Sequence, residues 1–332
     1  MWHDTTGSGR RRLRLGLAAL VALGGAMAAR AQLIERTSDR VRIHTLAGQP
    51  NDVLALAATP DSRRIVSASE GEVSVWQIRN GANVLRIIHP GWATAVAVTP
   101  DGEKIVSGSN DGAIRIWRMD NGGLLRTLTG HTGFVVTLKA TPDGDHIISG
   151  ALDGTLRVWR LTDGALVRTI DADSAGGVFD LAVTSDGAYV VTAGMDQAIR
   201  VWRTADGTLV RTLRGHTGEV RSVAISRDGK VLVSGSNDST VRIWRLEDGA
   251  LVRAMADHHD AVAAVAITPD GRFIVSGAAD GSLRVWTGDG DPLAIIRAHT
   301  GWIRPVIVTP DGQHIASGGH DRTVVIWRAP PW

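Results

Sequence analysis

Tryptophan recurs in this chain at a nearly constant interval: Trp76, Trp117, Trp159, Trp202, Trp244, Trp286 and Trp327 are separated by 41, 42, 43, 42, 42 and 41 residues. No single globular core imposes such a period. A fixed interval of this length means one supersecondary unit repeated, with each copy burying its apolar faces against its neighbours. The copies occupy nearly everything from residue 40 onward, so 332 residues need not mean two domains.

Residues 215–253, GHTGEVRSVAISRDGKVLVSGSNDSTVRIWRLEDGALVR, show one copy in full. Val220, Val223 and Ile225 are spaced by three and then two, and the extra residue at Arg221-Ser222 predicts a β-bulge in the first strand. Asp228-Gly229 makes a tight hairpin turn. Residues 231–234 form a second strand, Asn237-Asp238 a second turn, residues 241–244 a third strand, and Asp248-Gly249 turns into a fourth at Leu251-Val252-Arg253. Four short strands with turns every 8 to 12 residues make an antiparallel meander. The first turn recurs at Asp101-Gly102, Asp143-Gly144, Asp186-Gly187, Asp270-Gly271 and Asp311-Gly312, with Asp61-Ser62 in the first copy.

Gly-His before the first strand, Asp in the second turn and Trp ending the third strand together resemble the WD40-repeat family. The residue after Trp is usually Arg here, as in Trp117-Arg118, where that family often has Asp. The resemblance covers residues 40–329 and implies an all-β, seven-bladed β-propeller, each blade a four-stranded antiparallel meander. The last copy stops after Trp327-Arg328, and residues 40–48 read like a fourth strand. The resemblance therefore implies that the N-terminal strand completes the last blade and closes the ring, removing two free sheet edges. Residues 330–332 are left as a short tail.

The first 31 residues differ in kind. Arg10, Arg11, Arg12 and Arg14 precede an apolar run over residues 15–29, followed by Ala26-Met27-Ala28 and Ala29-Arg30-Ala31. A basic start, an apolar stretch and a small-residue exit describe an export signal over residues 1–31, with 32–39 a short linker. The twin arginines fit a twin-arginine route as well as the general secretory one. The alternative, an inner-membrane anchor over residues 15–29, would be short for a span of about 20 residues. The expected location is periplasmic or secreted, in a bacterial envelope. Removing residues 1–31 deletes five Arg and one Asp, so the formal charge moves from +2 to −2. No basic run then remains to favour nucleic acid. The chain has no cysteine, hence neither disulfides nor thiolate metal sites.

Twelve residues before each first-turn Asp stand Gln49, His89, His131, Ser174, His216, His258 and His299. The second strands supply Ser67, Ser107, Ser149, Thr192, Ser234, Ser276 and Ser317; the second turns supply Asp111, Asp153, Asp196, Asp238, Asp280 and Asp321. Seen once, Ser, His and Asp would suggest a nucleophile with its base. Seen in five copies, they cannot, because catalysis has no use for the same constellation in every repeat. The resemblance implies instead a structural hydrogen-bonded chain from His through Ser and Asp to the Trp indole. Copies 2, 3, 5, 6 and 7 carry the full set, the copies ending in Trp117, Trp159, Trp244, Trp286 and Trp327. Copy 4 lacks the His, and copy 1 has Gln49 and one residue fewer at Ser69-Glu70-Gly71, so these two are expected to be softer. Asp257-His258-His259-Asp260 could be drawn as a metal site, but adjacent side chains diverge and His258 is already committed; no metal and no cofactor is expected.

Partner contacts are expected where the copies differ. Just before the first strand's leading apolar residue stand Asp52, Trp92, Phe134, Gly177, Glu219, Ala261 and Trp302. Trp302, Trp92 and Phe134 fall on one arc of a closed ring, with Asp52 between them. The residues before the second-turn Asp, Asn110, Leu152, Met195, Asn237, Ala279 and His320, lie on the same face by the resemblance. Gathered aromatics mark interaction sites. The chain is thus expected to be a non-catalytic scaffold that binds another protein through Asp52, Trp92, Asn110, Phe134, Met195, Trp302 and His320. The alternative is an enzyme or small-ligand binder at the channel mouth, for which Asp52, Asp180, Glu219 and His320 are the available groups.

Overall fold

A computed structural model describes residues 41–172 and 176–331. The expected export segment and linker, Ser174 and Trp332 lie outside the described residues. Among the described residues every regular element is a β-strand, 26 in all, and no helix is long and apolar enough to cross a membrane.

The fifth repeat shows how sequence becomes structure. Its strands are Val220–Ile225, Val231–Ser236, Val241–Arg245 and Leu251–Met255, paired antiparallel in that order. The first-strand ladder slips register between Val220 and Ser222, which is the bulge the apolar spacing predicts. At the first turn the Ser226 hydroxyl donates to Asp228 Oδ1 at 2.6 Å, and the Lys230 amide donates to the same oxygen at 3.1 Å. The aspartate thereby replaces backbone partners that the turn removes.

Hydrogen bonding divides the strands into six sheets, five of four strands and one of six. Seven separate four-stranded sheets were expected, and the difference lies in the first two repeats. Arg64–Gln77 and Asn83–Val98 are 14 and 16 residues long, each running through what is two strands elsewhere. The missing residue at Ser69-Glu70-Gly71 is the cause. Without it, the chain reverses through Gly71 at φ 76° with no loop to interrupt the strand. That Arg64–Gln77 doubles back is clear from its ends, because the Ile78 amide donates to the Arg63 carbonyl at 2.9 Å. Glu70 then pairs with Trp92, so Asn83–Val98 continues from the first repeat into the second unbroken.

At the other end, Arg42–Leu46 pairs antiparallel with Val324–Arg328, so the last sheet takes its outer strand from the start of the repeat region. Each hydrophobic cluster joins two consecutive repeats. Trp159, for example, packs with Ile114, Ile116 and Leu128 of the repeat before it, and Trp76 packs with Val324 and Ile326 of the last repeat. The periodic tryptophans are 0 to 6% exposed. Each buries on the order of 200 Å², worth roughly 5 kcal/mol of transfer free energy before conformational entropy is subtracted. Polar ties span the same seams: Arg126, Arg168, Arg211 and Arg253 each donate to a backbone carbonyl of the following repeat, at 3.3, 3.0, 3.1 and 2.9 Å. The core therefore lies between repeats, not within them.

Candidate interaction face

Setting aside the residues that only hold repeats together isolates the rest. In repeats three, five and seven the expected chain is complete. Trp159 donates to Ser149 at 2.9 Å, Ser149 lies 2.7 Å from His131 Nε2, and His131 Nδ1 lies 2.8 Å from Asp153. A carboxylate can only accept, so Nδ1 carries the hydrogen of the neutral imidazole, and Nε2 accepts from the serine hydroxyl, which itself accepts from the indole. Trp244, Ser234, His216 and Asp238 repeat this at 2.8, 2.7 and 2.8 Å. Trp327, Ser317, His299 and Asp321 repeat it at 3.1, 2.8 and 2.9 Å. Burial pushes Asp153 upward, but donors from Thr155, His131 and Thr132 outweigh it and hold the carboxyl at about 2.

Repeats two and six depart from expectation. His89 and His258 reach Ser107 and Ser276 at 3.0 and 2.6 Å, and Trp117 and Trp286 reach the same serines at 2.8 and 2.9 Å. Their aspartates turn elsewhere, Asp111 to Arg115 at 2.6 Å and Asp280 to Ser282 at 2.6 Å. In the complete repeats the carboxylate also accepts from the amide of the residue after His, namely Thr132, Thr217 or Thr300. Repeat two has Pro90 there, which has no amide hydrogen. Repeat six has Asp260 where the complete repeats have glycine. A Cβ at Gly218 would come within 2.7 Å of the Asp238 amide nitrogen, so the loop carrying Asp260 cannot approach as closely. Among the described residues, His258 Nδ1 consequently has no hydrogen-bond partner. Burial, aided by the Arg284 charge, lowers its pKa from 6.5 to about 3. In repeat four, where Ser174 lies outside the described residues, Trp202 donates to Thr192 at 3.0 Å and Asp196 is paired to Arg200. In repeat one, Gln49 takes the histidine's place, donating to Ser67 at 2.8 Å, and Trp76 donates to that serine at 2.8 Å.

Asp180 also belongs to the scaffold. It accepts from Thr137 of the previous repeat at 3.1 Å and from Ser222 and the Val223 amide of the next at 2.9 and 3.0 Å. The Ser222 hydroxyl in turn accepts from the Val265 amide at 3.1 Å. This belt ties four repeats together around a central channel.

The channel has a volume of about 670 Å³ and is lined mainly by first-strand residues, with Trp92, Phe134 and Trp302 just ahead of them. These three are 42, 42 and 40% exposed. The two sets of variable positions meet through the backbone. The amides of Asn110, Leu152, Met195, Asn237, Ala279 and His320 donate to the carbonyls of Trp92, Phe134, Gly177, Glu219, Ala261 and Trp302 respectively. Asn110 Oδ1 also accepts from the Trp92 amide at 3.0 Å. Trp302 stacks on His320 with centroids 5.7 Å apart, and His320 Nε2 lies 3.5 Å from Asp52 across the seam between last and first repeats. Met195 is exposed on the same face. Glu219 is engaged by Asn237 at 3.0 Å and Arg221 at 3.3 Å. Of the four groups considered for chemistry, only Asp52 and His320 approach one another.

Sequence reasoning missed Phe179, Arg221 and Arg304, which also line the channel. The signal was present. Where the first-strand ladders slip register, the skipped residues include Thr94, Val136, Phe179, Arg221, Ala263 and Arg304. All six face the channel. The bulge frees one side chain per repeat from the alternation and presents it there. The Arg221 guanidinium lies over the Phe179 ring at 4.2 Å.

A family model described as WD domain, G-beta repeat matches residues 40–77, 83–118, 122–160, 164–203, 207–245, 249–287 and 290–328. The chain belongs to the WD40 repeat family. WD40 propellers generally bind other proteins and are typically non-enzymatic. Similar proteins include autophagy-related protein 16 of Arabidopsis thaliana, 32% identical over 98 residues, covering 29% of this chain and 19% of that protein. An uncharacterised WD repeat-containing protein of Synechocystis sp. is likewise 32% identical over 98 residues, covering 29% of this chain and 28% of its own length. The chain thus matches under a third of either relative.

Proposed function

We propose that this WD40 chain is a seven-bladed propeller acting as a non-catalytic protein-interaction scaffold, exported to the periplasm or exterior of a bacterial cell. The observation that carries the binding role is the exposure of Trp92, Phe134 and Trp302 around one channel mouth, in a chain of only 5% aromatic residues. Large rigid aromatics that remain solvent-exposed supply interface energy at low entropic cost. Seven blades result from taking the six-stranded sheet as two meanders joined without a loop. The seven matched repeats and the cores seated between consecutive repeats support that count. Export rests on residues 1–31 alone, and a non-catalytic role on the engagement of Asp180 and Glu219 in scaffold bonds.

The test is crosslinking and pull-down from envelope extract with wild type and the Trp92→Ala/Trp302→Ala double variant. Partner recovery should fall about tenfold while the unfolding midpoint barely moves. A large stability loss would instead assign the aromatics to packing. Fractionation with N-terminal sequencing tests the location: the mature chain should begin near residue 32 in the periplasmic or extracellular fraction. Retention of an intact chain in the membrane would mean an anchor over residues 15–29.

A further inference from the structure

We propose that the channel mouth of this interaction face receives an acidic side chain of the partner polypeptide, with Arg304 as the principal docking cation and Arg221 as the second. The inference rests on the face being the binding face and adds the chemistry it selects. Arg221 and Arg304 enter the channel from the starts of their first strands, whereas Lys139 enters near the end of its own, Val135–Ala140, and Asp52 and Glu219 stand just before the first strands of their repeats. Asp52 is near His320, Glu219 holds Asn237 and Arg221, and Arg221 lies flat on Phe179. Arg304 has no hydrogen bond, ion pair or ring partner among the described residues, although it is exposed on the channel wall. Burial by the surrounding wall disfavours its charged form, Asp52 partly restores it, and the like charge of Arg221 opposes it again. The guanidinium is thus partly desolvated with its donors unfilled, a state that a bidentate carboxylate relieves.

Shape agrees with charge. Arg221 and Arg304 belong to repeats five and seven, and between them repeat six contributes Ala261, Ala263 and Ala279, all small. Small side chains there leave the channel wall open between the two arginines, which are near enough for the charge of Arg221 to act on Arg304, while Asp260 of the same loop accepts from the Ala261 amide at 2.7 Å. Trp302 is left to cover an apolar neighbour of the docked acidic residue. Asp52, Glu219 and Asp260 stand in the loops leading into the first strands of repeats one, five and six, so a phosphodiester backbone or a run of acidic residues would meet more repulsion there than a single carboxylate does. An isolated small anion would leave the aromatic arc uncovered.

The experiment uses heptapeptide libraries with random flanks and a fixed central Glu, Gln, Lys or phosphoserine, captured by the full chain. Wild type should enrich central Glu over Gln about tenfold, the discrimination expected of one partly desolvated charge pair. Arg304→Gln should abolish the preference, Arg221→Gln reduce it, and Arg227→Gln, which makes the same charge change at an exposed turn elsewhere, leave it intact. Equal unfolding midpoints establish that the variants are folded. The proposal is overturned by an unchanged Glu preference in Arg304→Gln, by no central preference in wild type, or by a preference for phosphoserine. The Trp92→Ala/Trp302→Ala variant separates the two readings. If it captures peptides as well as wild type, the binding face itself is wrong. If it loses them while Arg304→Gln keeps the acidic preference, only the acidic chemistry is wrong.

Discussion

His216 and His258 occupy the same position in adjacent repeats and bond to equivalent serines at 2.7 and 2.6 Å, yet only His216 reaches an aspartate. The cause is two residues away, in the loop that carries Gly218 in one repeat and Asp260 in the other. Replacing His259-Asp260 by Thr-Gly, and Ser282 by Thr, should let Asp280 accept from His258 Nδ1. Satisfying that buried nitrogen should raise stability by about 1 kcal/mol, read as a shift of the urea midpoint at constant slope. The reverse change, Gly218→Asp, should cost 1–3 kcal/mol on the order of a buried unsatisfied group. Titration gives a second check. The folded pKa of His258, about 3, lies below its ordinary 6.5. Its contribution to stability is therefore complete above pH 6.5 and is lost as pH falls toward 3. Across that window wild type should take up about one proton more on unfolding than His258→Gln does. Glutamine is the apt replacement because Gln49 already serves Ser67 in repeat one. The His, Ser and Asp positions were legible from their spacing. Which aspartates would be captured was legible too, in His-Thr-Gly against His-Pro-Gly and His-His-Asp, but only once the backbone donors that hold the carboxylate are counted along with the side chains.

At the scale of strands and turns, the meander and its first-strand bulge could be read from apolar spacing, and the fused sheet could not. One residue fewer at Ser69-Glu70-Gly71 signalled an altered turn, but whether a shortened turn breaks a strand or lets it run on depends on what the neighbouring strand offers. Here Trp92 pairs with Glu70 and carries the ladder across. Repeats one and four were both expected to be soft, and their interiors now differ. Repeat one replaces its lost histidine with Gln49 and buries Glu72, which accepts from Ser74 and lies 3.3 Å from Arg86. Repeat four shows no histidine link to Thr192 among the described residues; it has the bond from Trp202 to Thr192, and its Asp196 pairs with Arg200. Amides of Tyr189–Gly194 and Ile199–Arg203 should thus exchange faster than those of Val231–Ser236 and Val241–Arg245, by about tenfold for each 1.4 kcal/mol of lost local stability. Hydrogen exchange with mass spectrometry resolves these segments. Equal protection in repeats four and five would mean that the core clusters between repeats, not the polar chains within them, set local stability.

The circle as a whole depends on a contact between distant parts of the chain. Arg42–Leu46 supplies the outer strand of the last sheet, and it buries Leu46 against Val324 and Ile326. Val41 packs with Trp327, over which the Arg42 guanidinium lies at 5.3 Å. Burying Val41 and Leu46 contributes roughly 3–6 kcal/mol between them, on the usual scale for fully buried aliphatic side chains. Deleting residues 41–46 would remove that and leave Val324–Arg328 as an unpaired edge. It would not remove every link across the seam. The Val53 amide still donates to the Gly319 carbonyl at 3.2 Å, and the Ser62 hydroxyl still accepts from the Asp311 amide at 3.0 Å. The last repeat should consequently loosen before the others. The deletion variant should show a lower thermal midpoint, early loss of protection in His314–Gly319 and Val324–Arg328, and concentration-dependent association through the exposed edge. A synthetic peptide spanning residues 41–48, added in excess, should pair with that edge and restore much of the midpoint. An unchanged midpoint on deletion would mean that the seam holds through Val53 and Ser62 alone and that the N-terminal strand is dispensable to the ring.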